Sequence, residues 1–375
     1  MKEGWKVKKL GEVCEKIFAG GDKPQVFSEE ATSILKVPVY ANGVQNDGLC
    51  GFTDKCVVEK ECVTVSARGT IGFCCIRTIP FVPIVRLITL IPSQSIDLKF
   101  LYYALRCLKI ENNGTSIPQL TVPMLKGYSI PLPPLPEQER IVSILDAEFA
   151  KIDAVKAGAE KSLQHAKDLF QAALKKELTP KEGWETKKLG EVAEIVGGST
   201  PKTNESSFWD GEFCWVTPAE LGNNKYISST NRMITDAGVK NAHLQLLPIG
   251  TVLLSSRAPI GKLAITKVAM YCNQGFKNLV CSDKLYNEFA YWFLCYSKDY
   301  LNSLGTGATF KEISKRVVEK VEIPLPPLPE QEQIVARLDT LNTHCKALQA
   351  NYERTIALCD DMKQALLRKA FNGEL

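Results

Sequence analysis

Two long stretches of the chain carry a single apolar stripe at helical spacing. Between positions 137 and 179 there is no proline, and apolar residues recur in steps of three, four and seven; the pattern returns 193 residues later. Each stretch predicts a helix of about 40 residues, which is about 60 Å long at 1.5 Å per residue. Because a lone helix cannot bury its stripe, we expect the two helices to pack together as an antiparallel coiled coil. The residues predicted to pack between them are Ile141, Leu145, Ile152, Val155, Leu163, Ile334, Leu338, Leu348, Tyr352 and Ile356.

The segments that precede the two predicted helices have a mixed pattern. Residues 61–66 (ECVTVS) and 82–90 (VPIVRLITL) are rich in β-branched residues and predict strands. Residues 99–108 (KFLYYALRCL) and 288–296 (EFAYWFLCY) predict helices. These segments are therefore expected to fold as α/β (α+β) domains.

The chain is a tandem duplication. GWKVKKLGEV at residues 4–13 returns as GWETKKLGEV at 183–192, and IPLPPLPEQERIV at 130–142 returns as IPLPPLPEQEQIV at 323–335. The repeat is far too long for a solenoid, so each copy is a two-part module. We expect a globular domain at residues 1–134, a helix at 135–178, a second globular domain at 183–326 and a second helix at 327–375. The copies would be related by a pseudo-twofold axis.

The composition is that of a globular protein rather than a disordered or membrane-spanning one. Hydrophobic residues make up 45% and charged residues 23% of the 375 positions. The first residues are charged and lack the apolar segment of a secretory leader, and the thirteen cysteines contain no Cys-x-x-Cys pair. We expect free thiols in a cytoplasmic protein, with no zinc site.

The positive charge lies in the globular segments. Residues 1–134 contain 16 Lys and Arg against 12 Asp and Glu, and residues 183–326 contain 16 against 14, whereas each predicted helix has one net negative charge. This excess is modest, and many enzymes reach it. Charge alone therefore indicates nucleic acid only weakly.

The motifs of common catalytic sites are missing from the sequence. There is no Walker A motif, no Gly-x-Ser-x-Gly, no His-Glu-x-x-His, and no Pro-Pro-aromatic motif of an amino-methyltransferase. Two of the three histidines, His165 and His344, lie on the predicted helices. We therefore expect no catalytic residue and no bound cofactor or metal in this chain.

The duplicated motifs resemble those of a known family. The paired GW-x-x-KKLGEV segments, the paired IPLPPLPEQE-x-IV helix entries and the closing LLRKAFNGEL are similar to the specificity (S) subunit of type I restriction-modification systems. The resemblance covers nearly the full length. It implies two target recognition domains, each binding one half of a split double-stranded DNA target, and two helical spacers that set the gap between the halves.

The resemblance also implies partners. The helices would dock two modification (M) subunits, which carry S-adenosylmethionine and methylate adenine, and restriction (R) subunits, which use ATP and Mg²⁺, would cut DNA. The predicted partner-binding residues lie at the two helix entries: Pro134, Glu137, Gln138, Pro327, Glu330 and Gln331.

The candidate DNA contacts follow from side-chain chemistry and from positions matched between the two copies. Base edges favour Arg, Lys, Asn and Gln, and phosphates favour Lys and Arg. Arg68 and Arg257 occupy equivalent Ser-x-Arg-x-x-Ile-Gly turns, where each could read a base, grip a phosphate or brace its turn. The full set of candidates is Lys23, Tyr40, Asn42, Arg68, Gln119, Lys202, Thr203, Arg257, Lys262 and Lys311.

Two other functions are compatible with the sequence. The globular segments could be two halves of an enzyme, which would require acid, base or nucleophile residues matched between the copies. Alternatively, the chain could be a protein-interaction scaffold built on a coiled coil. Salt-sensitive DNA binding by the assembled complex would separate the scaffold from a DNA-specificity subunit.

Overall fold

The computed structural model describes residues 4–108, 110, 119–222, 224–257, 259–307 and 311–375. The chain forms two compact units: unit 1 contains Met1–Glu160 and Glu353–Leu375, and unit 2 contains Lys161–Tyr352. Each unit therefore combines one mixed globular part with a portion of both long helices. Among the described residues, no helix is long and apolar enough to span a membrane.

The described residues of unit 1 form nine strands in three sheets. The four-stranded sheet has the order β2-β8-β5-β6, the three-stranded sheet β4-β3-β7, and the two-stranded sheet pairs β1 with β9. The strands are β1 (Lys6–Lys9), β2 (Cys14–Ala19), β3 (Val37–Tyr40), β4 (Leu49–Thr53), β5 (Cys62–Val65), β6 (Cys74–Arg77), β7 (Val82–Pro83), β8 (Ile88–Pro92) and β9 (Ser129–Leu132). The short helices are α1 (Leu10–Val13), α2 (Leu98–Cys107) and α3 (Val122–Gly127).

Unit 2 repeats this plan with additions. Its sheets have the orders β11-β18-β15-β16-β13, β14-β12-β17 and β10-β19. The strands are β10 (Glu185–Lys188), β11 (Ala193–Gly197), β12 (Trp209–Val216), β13 (Tyr226–Ile227), β14 (Arg232–Ile234), β15 (Val252–Leu254), β16 (Leu263–Thr266), β17 (Met270–Cys272), β18 (Lys277–Cys281) and β19 (Glu322–Leu325). The short helices are α5 (Leu189–Val192), α6 (Asp236–Asn241), α7 (Asn287–Tyr296), α8 (Lys298–Ser303) and α9 (Lys315–Glu319).

The two repeated motifs of each copy pair with each other. Strand β1, from the first motif, is antiparallel to β9, from the second, and β10 is antiparallel to β19 in the same way. Leu10 N–H then donates to Tyr128 O, and Leu189 N–H donates to Val321 O. In each copy the two motifs therefore pair the first strand of the globular part with its last, next to the start of the long helix.

The predicted helices at 99–108 and 288–296 are confirmed as α2 and α7. The strand predicted at 61–66 corresponds to β5, whose four residues are all buried. The single strand predicted at 82–90 is wrong, because a turn at residues 84–87 divides it into β7 and β8. Apolar periodicity does not reveal that turn, since Ile84, Val85 and Leu87 are as hydrophobic as the flanking strands.

The two long helices are α4 (Leu135–Leu178) and α10 (Leu328–Asn372), and they run antiparallel. In unit 1, Lys156 pairs with Asp360, and Lys363 with Asp153 further towards the start of α4. In unit 2, Glu177 pairs with Arg337. As the number of the residue on α4 rises, that of its partner on α10 falls, which is the signature of an antiparallel pair.

The apolar seam of the long helices differs from the predicted stripe at two places. Ile141, Leu145, Ile152, Ile334 and Leu338 are buried, and Leu163, Tyr352 and Ile356 are half-buried.

Val155 is 55% exposed and Leu348 is 41% exposed, so neither packs in the seam as predicted. The next residues along each helix, Lys156 and Gln349, are less exposed than Val155 and Leu348. The seam follows a heptad spacing, and selecting seam residues by hydrophobicity alone missed these two polar positions.

Candidate nucleic-acid interface

The turn that carries Arg68 is closed by its own backbone. Gly72 N–H donates to Ser66 O at 3.0 Å, and Ser66 N–H donates to Phe73 O at 2.8 Å. Gly72 has φ +85°, a left-handed conformation that favours glycine. Arg68 therefore lies at the tip of a rigid turn between β5 and β6, and its side chain is exposed.

Unit 2 builds the same turn around Arg257. Gly261 N–H donates to Ser255 O at 3.0 Å, Ser255 N–H donates to Lys262 O at 2.9 Å, and Gly261 has φ +87°. The Ser255 hydroxyl adds bonds of its own, because it accepts from Lys262 N–H and donates to Pro259 O. The two copies thus hold their arginines by one backbone design.

Each arginine contacts an acceptor from a distant segment. Arg68 Nη2 donates to Gln119 Oε1 at 2.8 Å, and Arg257 Nε donates to Glu312 Oε2 at 2.9 Å. The next residues repeat the match in the backbone, since Leu120 N–H donates to Ala67 O and Ile313 N–H donates to Ser256 O, both at 2.9 Å. The segments around 119 and 312 are therefore fixed against equivalent turns.

In unit 1, Asn42 connects this turn to its neighbours. Asn42 Oδ1 accepts from Ala67 N–H and its Nδ2 donates to Val85 O, both at 2.7 Å. Val85 N–H in turn donates to Gly21 O at 2.9 Å. We call residues 20–23, 42–43, 66–72, 84–87 and 119–120 the loop cluster of unit 1.

Unit 2 joins the equivalent loops by different side chains. Thr200 Oγ1 donates to Gln274 Oε1 at 2.5 Å, and Ser256 N–H donates directly to Gly275 O at 2.8 Å. Lys262 Nζ donates to Pro218 O at 3.2 Å. The loop cluster of unit 2 comprises residues 199–203, 217–218, 255–257, 259–262, 273–275 and 311–313.

The structure brings the predicted DNA contacts of each copy together. Lys23, Asn42, Arg68 and Gln119 lie in the loop cluster of unit 1. Residues of the second copy that lie in the loop cluster of unit 2 are Lys202, Thr203, Arg257, Lys262 and Lys311. Among these, Lys202, Thr203, Arg257 and Lys311 are exposed.

Two of the residues predicted to contact DNA also make internal contacts. The guanidinium of Arg77 lies 3.6 Å from the centre of the Tyr40 ring, and Phe81 packs edge-on against the same ring. Asn42 uses both ends of its amide to join loops. The Tyr40 ring and the Asn42 amide therefore brace unit 1, and a pattern of exposed aromatics and amides could not distinguish bracing from recognition.

Gln138 and Gln331, predicted as partner contacts, are fully buried clamps. Gln138 Oε1 accepts from Asp97 N–H while its Nε2 donates to Ser95 O and Pro133 O. Gln331 makes the same three bonds, accepting from Tyr286 N–H and donating to Lys284 O and Pro326 O. Neither can reach a partner, so this prediction is wrong for both.

The other predicted partner contacts remain near the surface. Pro134 and Pro327 are exposed, and the half-buried Glu137 pairs with Arg140. Glu330 accepts a hydrogen bond from Trp184 Nε1 at 3.1 Å. Leu135 and Leu328, the first residues of α4 and α10, are each 40% exposed.

Among the described residues, no group of three or more His, Cys, Asp or Glu side chains is placed to hold a metal ion. Burial raises the pKa of the Cys74 thiol, at the foot of the Arg68 turn, to about 12, so it is protonated at neutral pH.

Comparison with known families decides the class of the chain. The model of the type I restriction modification DNA specificity domain matches residues 2–165 and again residues 181–357. The chain belongs to this family. The two matches coincide with the two copies of the sequence repeat.

Curated relatives of this specificity-domain protein include type I specificity subunits. The specificity subunit of the type I restriction enzyme MjaIX from Methanocaldococcus jannaschii is 40% identical over 159 residues, which are 41% of this chain and 37% of that protein. The EcoR124I/EcoR124II specificity subunit from Escherichia coli is 28% identical over 290 residues, covering 73% of this chain and 70% of that one. The match thus spans well under half of the Methanocaldococcus relative.

Solved structures share the fold. A chain from a study of complex assembly and conformational transition of the type I R-M system has a TM-score of 0.79 at 23% identity, covering 100% of this chain and 99% of that one. The HsdS subunit from Thermoanaerobacter tengcongensis has a TM-score of 0.58, also at 23% identity, covering 100% and 98%.

Sequence reasoning missed Arg86, which lies in the loop cluster of unit 1. It is exposed in the turn between β7 and β8. A lone arginine within the otherwise apolar run 82–90 was the available signal, because an unpaired charge inside a buried strand is costly.

Proposed function

We propose that this chain is the DNA specificity subunit of a type I restriction-modification complex, and that the loop cluster of each unit binds one half of a split DNA target. The observation that carries the proposal is the duplication of the cluster. Both copies hold an exposed arginine on the same closed turn, beside the same distant segment, while the surrounding side chains differ. Such a pair of sites suits two half-sites of different sequence.

The shared and the divergent residues suit different parts of DNA. Phosphates are the same in every sequence, so contacts to them can be identical in both copies, whereas base readout must differ. Arg68 and Arg257 are shared and are assigned to phosphate. Positions that differ, such as the turn at residues 84–87 in unit 1 and the equivalent turn at residues 273–276 in unit 2, are assigned to bases.

The proposed partners follow from the family and from the helix starts. Pro134 and Leu135, and their equivalents Pro327 and Leu328, form two small exposed apolar surfaces, one at the beginning of each long helix. We assign these surfaces to two modification subunits. Those subunits would bind S-adenosylmethionine, restriction subunits would bind ATP and Mg²⁺, and the complex would act on DNA in the cytoplasm.

The test is the pattern of modified bases. The chain is expressed with a modification subunit of its system in cells that lack other DNA methylation, and their DNA is sequenced for modified bases. The expected motif has two defined halves separated by unread base pairs. Exchanging residues 1–130 for those of another specificity subunit should change one half alone.

Two controls distinguish DNA recognition by this chain from modification by its partner subunit. A catalytically inactive modification subunit should remove all modification while leaving salt-dependent DNA binding intact. A continuous motif, or a change of both halves on exchange of one domain, would overturn the assignment of one half to each unit.

Docking is tested on the same complex. Leu328→Asp should lower the amount of modification subunit that copurifies, because it places a charge in the apolar surface. Leu358→Asp is the matched control, since Leu358 is exposed on α10 away from the helix start. Equal recovery with both variants would remove the helix starts from the interface.

A further inference from the structure

The turn at residues 84–87 is strained. Leu87 N–H donates to Ile84 O at 3.0 Å, and the two central residues, Val85 and Arg86, have φ +51° and +63°. Turns with two left-handed residues favour Asn-Gly, and a β-branched residue in this region is a rare outlier. The other non-glycine residues with positive φ in the described part of the chain are Asn46, Asp47, Asp210 and His243, which are types that tolerate it.

The rest of the cluster holds this turn in place. Val85 N–H and Arg86 N–H donate to Gly21 O and Gly20 O, and Val85 O accepts from Asn42 Nδ2. A Cβ atom at Gly20 would lie 2.5 Å from the backbone of Pro83, so only glycine allows this approach. The strained conformation is thus determined by its surroundings, which is typical of functional segments.

The turn presents two side chains that unit 1 does not use. Val85 is 50% exposed, and Arg86 is exposed. Of the four arginines in residues 1–134, Arg68 bonds Gln119, Arg77 bonds Thr64 and Asp47, and Arg106 bonds Tyr102. Among these four, only the Arg86 side chain makes no hydrogen bond or ion pair with a described residue.

The equivalent turn of unit 2 carries different chemistry without this strain. Its residues are Asn273, Gln274, Gly275 and Phe276, and none of them has a positive φ. Gln274 is exposed and bonds Thr200. The position therefore differs between the copies in side chain and in backbone, as a base-reading position should.

We infer that the turn at residues 84–87 is a base-reading element of unit 1, an inference that rests on the proposed function. Arg86 donates two hydrogen bonds to the major-groove edge of a guanine, the pairing that its planar fork suits best. Val85 packs beside it against the apolar edge of a neighbouring base, such as a thymine methyl group. The strained backbone fixes the directions of both side chains. A turn that only connected two strands would be expected to carry the relaxed Asn-Gly sequence instead.

The key variant removes both side chains and relieves the strain. Val85→Asn with Arg86→Gly gives the turn its preferred residues, so the chain should unfold at the same or a higher temperature. In the complex with the modification subunit, one half of the motif should lose discrimination at one or two adjacent positions. Arg86→Ala alone should lose roughly 5- to 150-fold discrimination at one position, and that position should be a G·C pair in the wild-type motif.

The control is Lys36→Ala. Lys36 is an exposed cation that precedes β3, whereas the far end of β3 leads into the loop cluster. This variant should keep the complete motif. Binding is measured for wild type and variants on a panel of sites with every single base change, at two salt concentrations.

Three outcomes would overturn the inference. Arg86→Ala could weaken binding evenly over all sites and reduce the salt slope by about 1, which would make Arg86 a phosphate contact. The double variant could keep the complete motif, or the loss could fall in both halves. If the wild-type complex modifies a split motif while any of these occurs, the inference alone fails; if the wild type reads no split motif, the proposed function itself fails.

Discussion

Glu312 is an acidic residue in the loop cluster of unit 2, where DNA is expected. Its carboxylate accepts from Arg257 and lies 3.6 Å from Lys277 Nζ. In unit 1 the corresponding acceptor is the neutral Gln119. Glu312 therefore offsets the charges of Arg257 and Lys277, whereas the neutral Gln119 leaves the charge of Arg68 without a counter-charge among the described residues.

Glu312→Gln should strengthen DNA binding several-fold at low salt, because it removes a charge that repels phosphate and releases two cations. The gain should shrink as salt rises, since exposed charges are screened. Arg257→Ala should do the reverse, lowering affinity evenly over sequences and reducing the salt slope by about 1. A change confined to one base position would instead make Arg257 a base reader.

Lys225 is the centre of a charged network inside unit 2. Its Nζ donates to Glu288 and Asp339, while Tyr226 OH donates to Glu288 and Trp292 Nε1 donates to Asp339. Burial raises the pKa of Glu288, whereas the hydrogen bonds from Lys225 and Tyr226 and the charge of Lys225 lower it. The lowering effects together are larger, so the pKa lies below the ordinary 4.5. The network thus joins the globular part to α10 through Asp339.

Because of the lowered pKa of Glu288, the stability of unit 2 depends on pH. Because the folded state holds Glu288 ionised more strongly than the unfolded state does, its contribution is present above pH 4.5 and is lost as pH falls through the folded pKa. Glu288→Gln should reduce the free energy of unfolding by about 1–3 kcal/mol at pH 7. Urea unfolding should show this difference shrinking below pH 4.5.

The matched control for Glu288 is Glu212→Gln. Glu212 is exposed on β12 and has no ion pair with a described residue. This variant should unfold as the wild type does at every pH. A Glu288→Gln difference that stays constant from pH 7 to pH 3.5 would contradict a contribution from ionisation.

The glutamine clamps fasten each long helix to an earlier helix of the same unit. Gln138 joins α4 to the N-terminal end of α2 through Asp97 N–H, and Gln331 joins α10 to α7 through Tyr286 N–H. Gln138→Ala should lower the free energy of unfolding by about 3 kcal/mol, because three buried backbone groups lose their partner. Urea unfolding measures it.

The neighbouring Glu139 supplies the control, since it is exposed on the next position of α4. Glu139→Ala should leave the unfolding midpoint in place. Unchanged stability of the Gln138→Ala variant would mean that the clamp does not fasten α4 to α2.

Elements whose signal is local could be predicted from the sequence. The long helices, α2 and α7 follow from spacing and proline positions, and the repeat supplies the two-copy plan. The turn at Val85 and Arg86 could not be predicted, because its conformation is held by distant groups such as Gly20 and Asn42 rather than by its own residues. Lys156 in the helix seam was missed for a related reason, since its ion pair with Asp360 depends on α10.

The candidate site was predictable in part. Matching the copies located Arg68 and Arg257 and the segments at 119 and 312, which the structure joins. The roles of Tyr40, Asn42 and Gln138 were not predictable, because an exposed polar residue and a buried brace look alike in sequence. Only three-dimensional contacts, such as Arg77 over Tyr40, separate them.

At the scale of the whole molecule, the duplication keeps the frame and varies the loops. The β1–β9 and β10–β19 ribbons, the glutamine clamps and the closed arginine turns are common to both copies, whereas the turn at residues 84–87 and its counterpart differ. If each unit binds one target half as proposed, this separation would let one copy change its half while the frame and the other copy stay intact. Divergence is thus expected to concentrate in the two loop clusters.

The long helices are proposed to set the gap between the target halves, and their lengths can be changed without disturbing either unit. The boundary between the two units falls after Glu160 on α4 and after Tyr352 on α10. Inserting four helix-forming residues at both places lengthens each helix by about 6 Å, close to two base pairs of DNA rise. Four residues also rotate a helix by only about 40° beyond a full turn, so the apolar seam nearly returns to its register.

The matched double insertion should therefore keep folding and shift the preferred gap by one or two base pairs, with both half-site sequences unchanged. Gly158→Ala is the control, because it strengthens α4 without lengthening it and should keep the wild-type gap. An insertion in α4 alone should damage the complex, since pairs such as Glu177–Arg337 and Lys156–Asp360 could not both keep their register. Sequencing of modified bases reads the gap directly. An active double-insertion variant with the original gap would mean that the modification subunits, rather than the helices of this chain, fix the distance between the half-sites.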